Sequence, residues 1–162
     1  MTIATNREHL DNGSPGGSRV RGLARQVIDP EGTARTLLVG ESGALCIFGT
    51  AGGQAFTLPA VGADDVGMWF EFIATIDGTG TYSVTTDAAT TFLVGGVDSM
   101  SDTIAEGGGM FEADGSADLN FTADSDVTGR MVGTHLFLTA LSSTSWCITG
   151  TMSIEGAAAT PF

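Results

Sequence analysis

The sequence predicts an all-β protein, with a single antiparallel β-sandwich or barrel-like (jelly-roll-like) domain and an extended N-terminal arm. Three observations predict this class. Apolar residues alternate with polar ones in short segments, which is the period of a strand with two different faces. The chain contains 24 glycines and no lysine, and its turns recur roughly every eight to twelve residues, as in sandwiches and barrels. No stretch of the body has the pattern of a long amphipathic helix.

The central segment, residues 54–86, predicts three strands. In the second strand the even-numbered residues from Met68 to Ala74 share one face, and the odd-numbered residues from Trp69 to Thr75 share the other. A turn at Asp77-Gly78-Thr79-Gly80 predicts a hairpin between the second and third strands, because glycine readily adopts positive φ. The three strands are expected at residues 54–58, 67–75 and 81–86.

The remaining strands follow from the same alternation, for about ten in all. Residues 97–108 are expected to form a loop. A second hairpin is predicted around Asp114-Gly115-Ser116. The further strands are expected at residues 36–39, 44–48, 90–94, 109–113, 119–122, 134–141, 145–149 and 152–154.

The charge distribution divides the chain into an arm, residues 1–33, a body, residues 34–156, and a tail, residues 157–162. Residues 1–35 hold five arginines against four acids, whereas the rest holds one arginine against fifteen acids. Residues 1–18 contain a Gly/Ser/Pro run that is typical either of a disordered tail or of an arm that becomes ordered on a partner. Residues 19–33 allow a short helical turn or an extended segment.

The composition disfavours several classes of partner. The formal net charge is −13, and such a surface repels the phosphates of nucleic acids. No stretch approaches the roughly 20 apolar residues of a membrane span. The first ten residues are polar and lack the apolar region of a signal peptide. We therefore expect no nucleic-acid partner, no membrane partner and synthesis in a cytosol-like compartment.

The two cysteines, Cys46 and Cys147, each lie among apolar residues of a predicted strand. Two buried free thiols are the favoured interpretation, since free cysteine behaves as a small hydrophobic residue. A disulfide between them cannot be decided from their spacing.

The sequence does not predict an enzyme. His9 lies in the arm and His135 begins a strand, so no catalytic triad or two-histidine metal site is indicated. The absence of lysine removes P-loop and Schiff-base chemistry. Asp64-Asp65 and Asp124-Ser125-Asp126 are either solvated acidic turns or Ca²⁺ ligands, and neither pair has the spacing of an EF-hand. We expect no catalytic residue, no cofactor and no metal.

Three aromatic residues, Trp69, Trp146 and Phe137, lie in predicted strands. Each falls within an alternating apolar pattern, which favours core packing. A platform that stacks on sugar rings is the alternative.

Residues 40–150 carry a recurring pattern of motifs: Gly43-Ala44-Leu45, Phe56-Thr57-Leu58-Pro59, Gly67-Met68-Trp69-Phe70-Glu71-Phe72-Ile73, Gly80-Thr81-Tyr82-Ser83-Val84 and Ser145-Trp146-Cys147-Ile148-Thr149-Gly150. This pattern resembles the head decoration, or cement, proteins of tailed bacteriophages. The resemblance implies a structural protein that binds across adjacent major capsid protein subunits and stabilises the shell. It also implies a homotrimer on the exterior of the virion, made in the host cytoplasm. The family acts through surfaces, so no functional residue is carried over.

The arm is the predicted capsid-binding element, because an arm that becomes ordered on binding covers a large surface. Its arginines would contact an acidic shell and its apolar residues would anchor it. The alternative is a tail-fibre or tail-spike module that binds host glycan through exposed aromatics and the loop at residues 97–108. The predicted capsid-binding residues are Arg19, Val20, Arg21, Leu23, Arg25, Val27, Ile28 and Arg35.

Overall fold

The computed structural model describes residues 25–29, 32–101 and 108–162. The predicted all-β class is confirmed: these residues form eleven strands in two sheets, and the other regular element is a 3-10 turn at Val39–Glu41. The strands are β1 (Val27–Ile28), β2 (Ala34–Thr36), β3 (Leu45–Phe48), β4 (Gln54–Thr57), β5 (Trp69–Ala74), β6 (Tyr82–Thr85), β7 (Phe92–Ser101), β8 (Met110–Asp114), β9 (Asn120–Ala123), β10 (His135–Ser142) and β11 (Ser145–Ile154).

The first six strands alternate between the two sheets. The larger sheet has the order β1-β3-β5-β10-β11-β7-β8, and the smaller one has the order β2-β4-β6-β9. Because each connection crosses from one sheet to the other, every second strand runs in the same direction. β1, β3 and β5 are therefore parallel in the larger sheet, and β2, β4 and β6 are parallel in the smaller one. Strands β1–β6 therefore wind as a regular coil of three turns, and each turn contributes one strand to each sheet.

The predicted antiparallel pairing is wrong for these strands, because neighbouring strands of the coil are parallel. β5 and β6 belong to different sheets, and so do β8 and β9, so neither predicted hairpin forms. The larger sheet is mixed, since β10 pairs antiparallel with both β5 and β11, while β7 pairs parallel with β11. Period-two alternation specifies which face of a strand is buried, but it does not specify the neighbouring strand.

Backbone contacts between successive turns hold the coil together. The N–H groups of Thr79 and Gly80 both donate to the carbonyl oxygen of Ala51, at 2.6 and 2.9 Å. The backbones approach so closely here that a Cβ on Gly80 would clash with Gly52. Glycine in this turn therefore permits stacking of the two connections.

One apolar core lies between the sheets. The Phe56 ring from β4 lies 5.4 Å from both Phe48 and Phe72 of the larger sheet, and Tyr82 from β6 stacks on Phe48 at 4.8 Å. The even-numbered residues predicted to share a face of β5 are its buried residues, including Phe70 and Phe72 at 0% exposure. The alternation therefore grouped these residues on one face correctly, and that face is the one turned to the core.

Several segment boundaries differ from those expected. The strands predicted at residues 145–149 and 152–154 form the single strand β11, and the strand predicted at residues 36–39 is replaced by β2 and the 3-10 turn. β1 lies within the predicted arm, where it pairs with β3. β7 extends to Ser101, into the predicted loop. The predicted tail packs on the body: Thr122 N–H donates to the Pro161 oxygen at 2.8 Å, and the Phe162 ring lies 6.2 Å from Phe121. The local sequence pattern could not predict these contacts, because they join residues that are far apart in the sequence.

The two cysteines are free and face opposite sides of the larger sheet. Cys46 is fully buried on the core side, and burial raises its pKa to about 12. Cys147 is paired with Thr139 on the outer side and is half-buried. A disulfide between them is therefore excluded, and the expectation of two buried thiols holds for Cys46 alone.

Candidate functional site

The outer face of the larger sheet carries a group of apolar side chains that have no covering element in the described residues. Register places them side by side: Val27 is opposite Leu45, Ile47 is opposite Ile73, and Phe137 lies two residues from the partner of Trp69. Val27 is 56% exposed and Phe137 is 38% exposed. We call this group the outer patch; its members are Val27, Leu45, Ile47, Trp69, Ile73 and Phe137.

An aromatic pair lies at the centre of the outer patch. The Trp69 and Phe137 rings are 5.1 Å apart and tilted by 30°. The Arg25 guanidinium lies 5.0 Å from the centre of the Trp69 ring, which is a cation–π geometry. The Nε–H of Arg25 also donates to the Gly43 carbonyl oxygen at 3.1 Å. Arg25 therefore holds residues 25–29 against this part of the sheet.

Glu71 links the side chains of Arg25 and His135 beside the aromatic pair. It forms an ion pair with Arg25 and a hydrogen bond with His135 Nε2. Partial burial raises the pKa of Glu71, but the hydrogen bonds from Arg25 and His135, together with the Arg25 charge, outweigh burial and leave the pKa below its ordinary value. The carboxylate is therefore ionised near neutral pH.

The described members of the predicted capsid-binding set contact the body of the same chain. Arg25 binds Glu71, and Ile28 is only 3% exposed. Arg35 pairs with Glu41, whose side chain is 4% exposed. Of these four residues, Val27 is the one that is mostly exposed. The other predicted members, Arg19, Val20, Arg21 and Leu23, lie outside the described residues.

The two tryptophans have different environments, which the alternation alone did not distinguish. Trp146 is 0% exposed, so it is a core residue and cannot belong to a sugar platform. Trp69 lies on the outer face with one ring face under Arg25. His135, on the same face, is hydrogen-bonded to Glu71, which lies 64 residues away in the sequence. No local motif could have indicated this cluster.

The carboxylates of the acidic turns accept hydrogen bonds from residues nearby in the sequence. Asp65 accepts a hydrogen bond from Gly62 N–H at 3.0 Å, Asp124 accepts one from the Thr128 hydroxyl at 3.0 Å, and Asp126 pairs with Arg130 at 2.8 Å. Within the described ranges, no group of three or more His, Cys, Asp or Glu residues could hold a metal ion.

The opposite end of the outer face is acidic and carries an exposed methionine. Glu112 and Asp114 face outward from β8, and Asp98 faces outward from β7 beside Met110. Met110 is 74% exposed. Hydrogen bonds from Ser116 and Ala117 lower the pKa of Asp114. The outer face thus has an aromatic end and an acidic end.

The part of the chain that the structure describes contains no helix that is long and apolar enough to cross a membrane. Comparisons with protein-family models, with curated proteins and with solved structures find no match to this chain.

Proposed function

We propose that this chain is a structural virion protein that decorates a phage capsid and stabilises it by binding across adjacent major capsid protein subunits. The observation that carries the proposal is the outer patch, with its exposed Val27 and Phe137 beside Trp69. A contiguous apolar surface rimmed by charged groups is typical of a protein-binding site. The sequence resemblance supplies the class of partner, which is the major capsid protein.

The charges of the described residues are consistent with a surface that binds protein. All three arginines there are paired with carboxylates, and most of the acids have no such partner. The acidic remainder keeps the free protein soluble and repels nucleic acid. Aromatic residues at the centre of the patch would supply most of the binding free energy, as at other interfaces.

In this proposal the protein occupies the capsid exterior as a homotrimer after synthesis in the host cytoplasm. Its two sheets constitute a β-sandwich that presents the outer patch to the shell. Val27, which the sequence analysis assigned to capsid binding, contributes through the patch. The proposal requires no catalytic residue and no cofactor.

Cosedimentation with shells assembled from the major capsid protein of the same genome tests the proposal. Phe137→Ser removes an exposed ring from the patch and should weaken binding at least about tenfold, as expected of a central aromatic contact. Met100→Ser is the matched control, because Met100 is an exposed apolar residue of β7, two strands from the β10 strand that carries Phe137. Wild-type protein that does not sediment with shells would overturn the proposal, as would equal binding by the Phe137→Ser variant.

A second candidate function, glycan binding by a tail-fibre or tail-spike module, is favoured by one observation. The exposed Phe137 and the partly buried Trp69 form an aromatic pair beside the hydrogen-bonding groups of Glu71 and His135, which suits a sugar ring and its hydroxyls. Arg25 covers one face of Trp69, and this contact limits the ring surface open to a sugar. A glycan array separates the two candidates: signals that disappear in Trp69→Ala support glycan binding, and an array without signals counts against it.

A further inference from the structure

β8 is an edge strand of the larger sheet. It pairs with β7 on one side, and no described strand pairs with its other side. Its side chains alternate: Met110, Glu112 and Asp114 face outward, whereas Ala113 is 1% exposed and Phe111 packs on the core. At the end of this edge the Asp114 N–H donates to the Asp118 carboxylate at 2.8 Å. The N–H and C=O groups along the rest of an edge strand can bind another extended segment.

Residues 19–23 of this chain, Arg19-Val20-Arg21-Gly22-Leu23, have the complementary alternation. We propose that this segment from one copy adds to β8 of a second copy as an antiparallel strand. One register satisfies every side chain, because charges meet opposite charges and apolar residues meet apolar residues. It pairs Arg19 with Asp114, Val20 with Ala113, Arg21 with Glu112, Gly22 with Phe111 and Leu23 with Met110.

The reach of the chain requires that the acceptor be a second copy. β1 and β8 are at opposite edges of the sheet and are separated by six inter-strand steps, or about 29 Å at the usual strand spacing. Arg25 is held beside Trp69, next to β1. Residue 23 is two residues from Arg25 and can lie only about 7 Å from it, and residue 19 only about 20 Å. A copy therefore cannot place the segment on its own β8.

The charges favour the same occupant. The described residues place Glu112 and Asp114 in no ion pair, and they already pair each of their own arginines with a carboxylate. Arg19 and Arg21 would supply the missing positive charge from outside. Because the donor segment leaves at one edge of the sheet and the acceptor strand lies at the other, the contact is head-to-tail and closes into a ring at a suitable rotation.

This inference goes beyond the proposed function, because it concerns isolated copies without a shell. It also assigns Arg19, Val20, Arg21 and Leu23 to contacts between copies instead of contacts with the capsid. The oligomeric mass of the purified full-length chain, measured by light scattering over a concentration series, tests it. Wild-type protein should form an oligomer that dissociates on dilution and as salt is added.

Charge exchange makes the test specific. Arg19→Glu with Arg21→Glu, or Glu112→Arg with Asp114→Arg, should each raise the dissociation constant at least about tenfold, because like charges then face each other. All four substitutions together should restore association to within about threefold of wild type. Asp64→Arg with Asp65→Arg is the matched control, since it makes the same charge change in a distant loop. Monomeric wild-type protein, or reversals without effect, would overturn the proposal.

A disulfide experiment tests the register and does not depend on charge. In a Cys147→Ser background, Leu23→Cys with Met110→Cys should form covalent oligomers on oxidation, visible on a non-reducing gel. Leu23→Cys with Asp114→Cys places the two thiols four residues out of register, more than about 13 Å apart, and should not cross-link. Covalent linkage confined to single copies, or equal cross-linking by both pairs, would contradict the proposed strand addition.

Discussion

The guanidinium of Arg25 lies over the ring of Trp69, 5.0 Å from its centre. This contact joins a segment that the sequence places in a free arm to the aromatic centre of the outer patch. Replacing Arg25 with Ala should loosen residues 25–29 and expose more of the Trp69 ring. We expect a loss of about 0.5–1 kcal/mol in the free energy of unfolding, since cation–π contacts and ion pairs at exposed sites contribute little.

Hydrogen exchange provides the local readout for Arg25→Ala. The Leu45 N–H donates to the Gln26 oxygen at 2.9 Å, so release of the segment should accelerate exchange at Leu45. Arg25→Lys is the control, because it keeps the charge and loses the planar group, and it should fall between wild type and Arg25→Ala. Unchanged exchange at Leu45 in the alanine variant would show that Arg25 does not hold this segment.

Arg35 should be more important for stability than Arg25, because its partner Glu41 is buried. The Glu41 carboxylate is 4% exposed and also accepts the Leu38 N–H at 2.9 Å. Arg35→Met leaves that carboxylate without its cation. We expect a cost of about 2–4 kcal/mol, below the value for a fully buried pair because Arg35 is partly exposed.

The double variant Arg35→Met with Glu41→Gln should recover more than half of that loss, because glutamine removes the unpaired charge and keeps an oxygen for Leu38. Urea unfolding of the two single variants and the double variant measures the coupling. Strictly additive effects would contradict this role for the pair.

The pKa of Glu71 predicts how its contribution to stability depends on pH. Its folded-state pKa lies below the ordinary value, so its ionised form stabilises the protein above the ordinary carboxyl pKa. This contribution is lost as pH falls through the ordinary pKa, about 4.3, and then through the lower folded-state pKa. The wild type should therefore lose its stability advantage over Glu71→Gln between pH 6 and pH 3.

Urea midpoints of both proteins across that pH range measure the difference. Asp114 also has a lowered pKa, but it is present in both proteins and its effect cancels. A difference that stays constant or grows as pH falls would contradict the ion-pair role of Glu71.

The cysteines should react at very different rates. Cys147 is half-buried on the outer face, whereas Cys46 is fully buried and its pKa is raised to about 12. Because the thiolate is the reactive form, a maleimide should modify Cys147 in the native protein and Cys46 only after unfolding. Mass spectrometry of labelled peptides gives both rates, and native labelling of Cys46 at the rate of Cys147 would contradict the burial described for β3.

The sequence was sufficient to predict which residues share a face of a strand and insufficient to predict strand partners. Alternation grouped Phe70 and Phe72 on one face because the period-two pattern is local. The separation of β5 from β6 depends on stacking of the 49–53 and 75–81 connections through Ala51 and Gly80, which are distant in sequence.

The outer patch was predictable only in part, for the same reason. Core packing was favoured for Trp69 and Phe137, and the structure places both on the outer face. The period-two pattern did separate Trp69 from the even-numbered residues of β5. The contacts of Trp69 with Arg25 and with Phe137 span 44 and 68 residues of sequence, respectively. No spacing motif indicates such contacts. Arg35 and Glu41 are close in sequence, but burial of a carboxylate depends on the tertiary fold.

Cryo-electron microscopy of shells saturated with this chain would show whether the outer patch is the capsid-binding surface. We expect density at regular positions over the shell, with Trp69 and Phe137 facing major capsid protein subunits on both sides of a seam. Density in which these two rings face solvent, or shells that carry none of the chain, would contradict it.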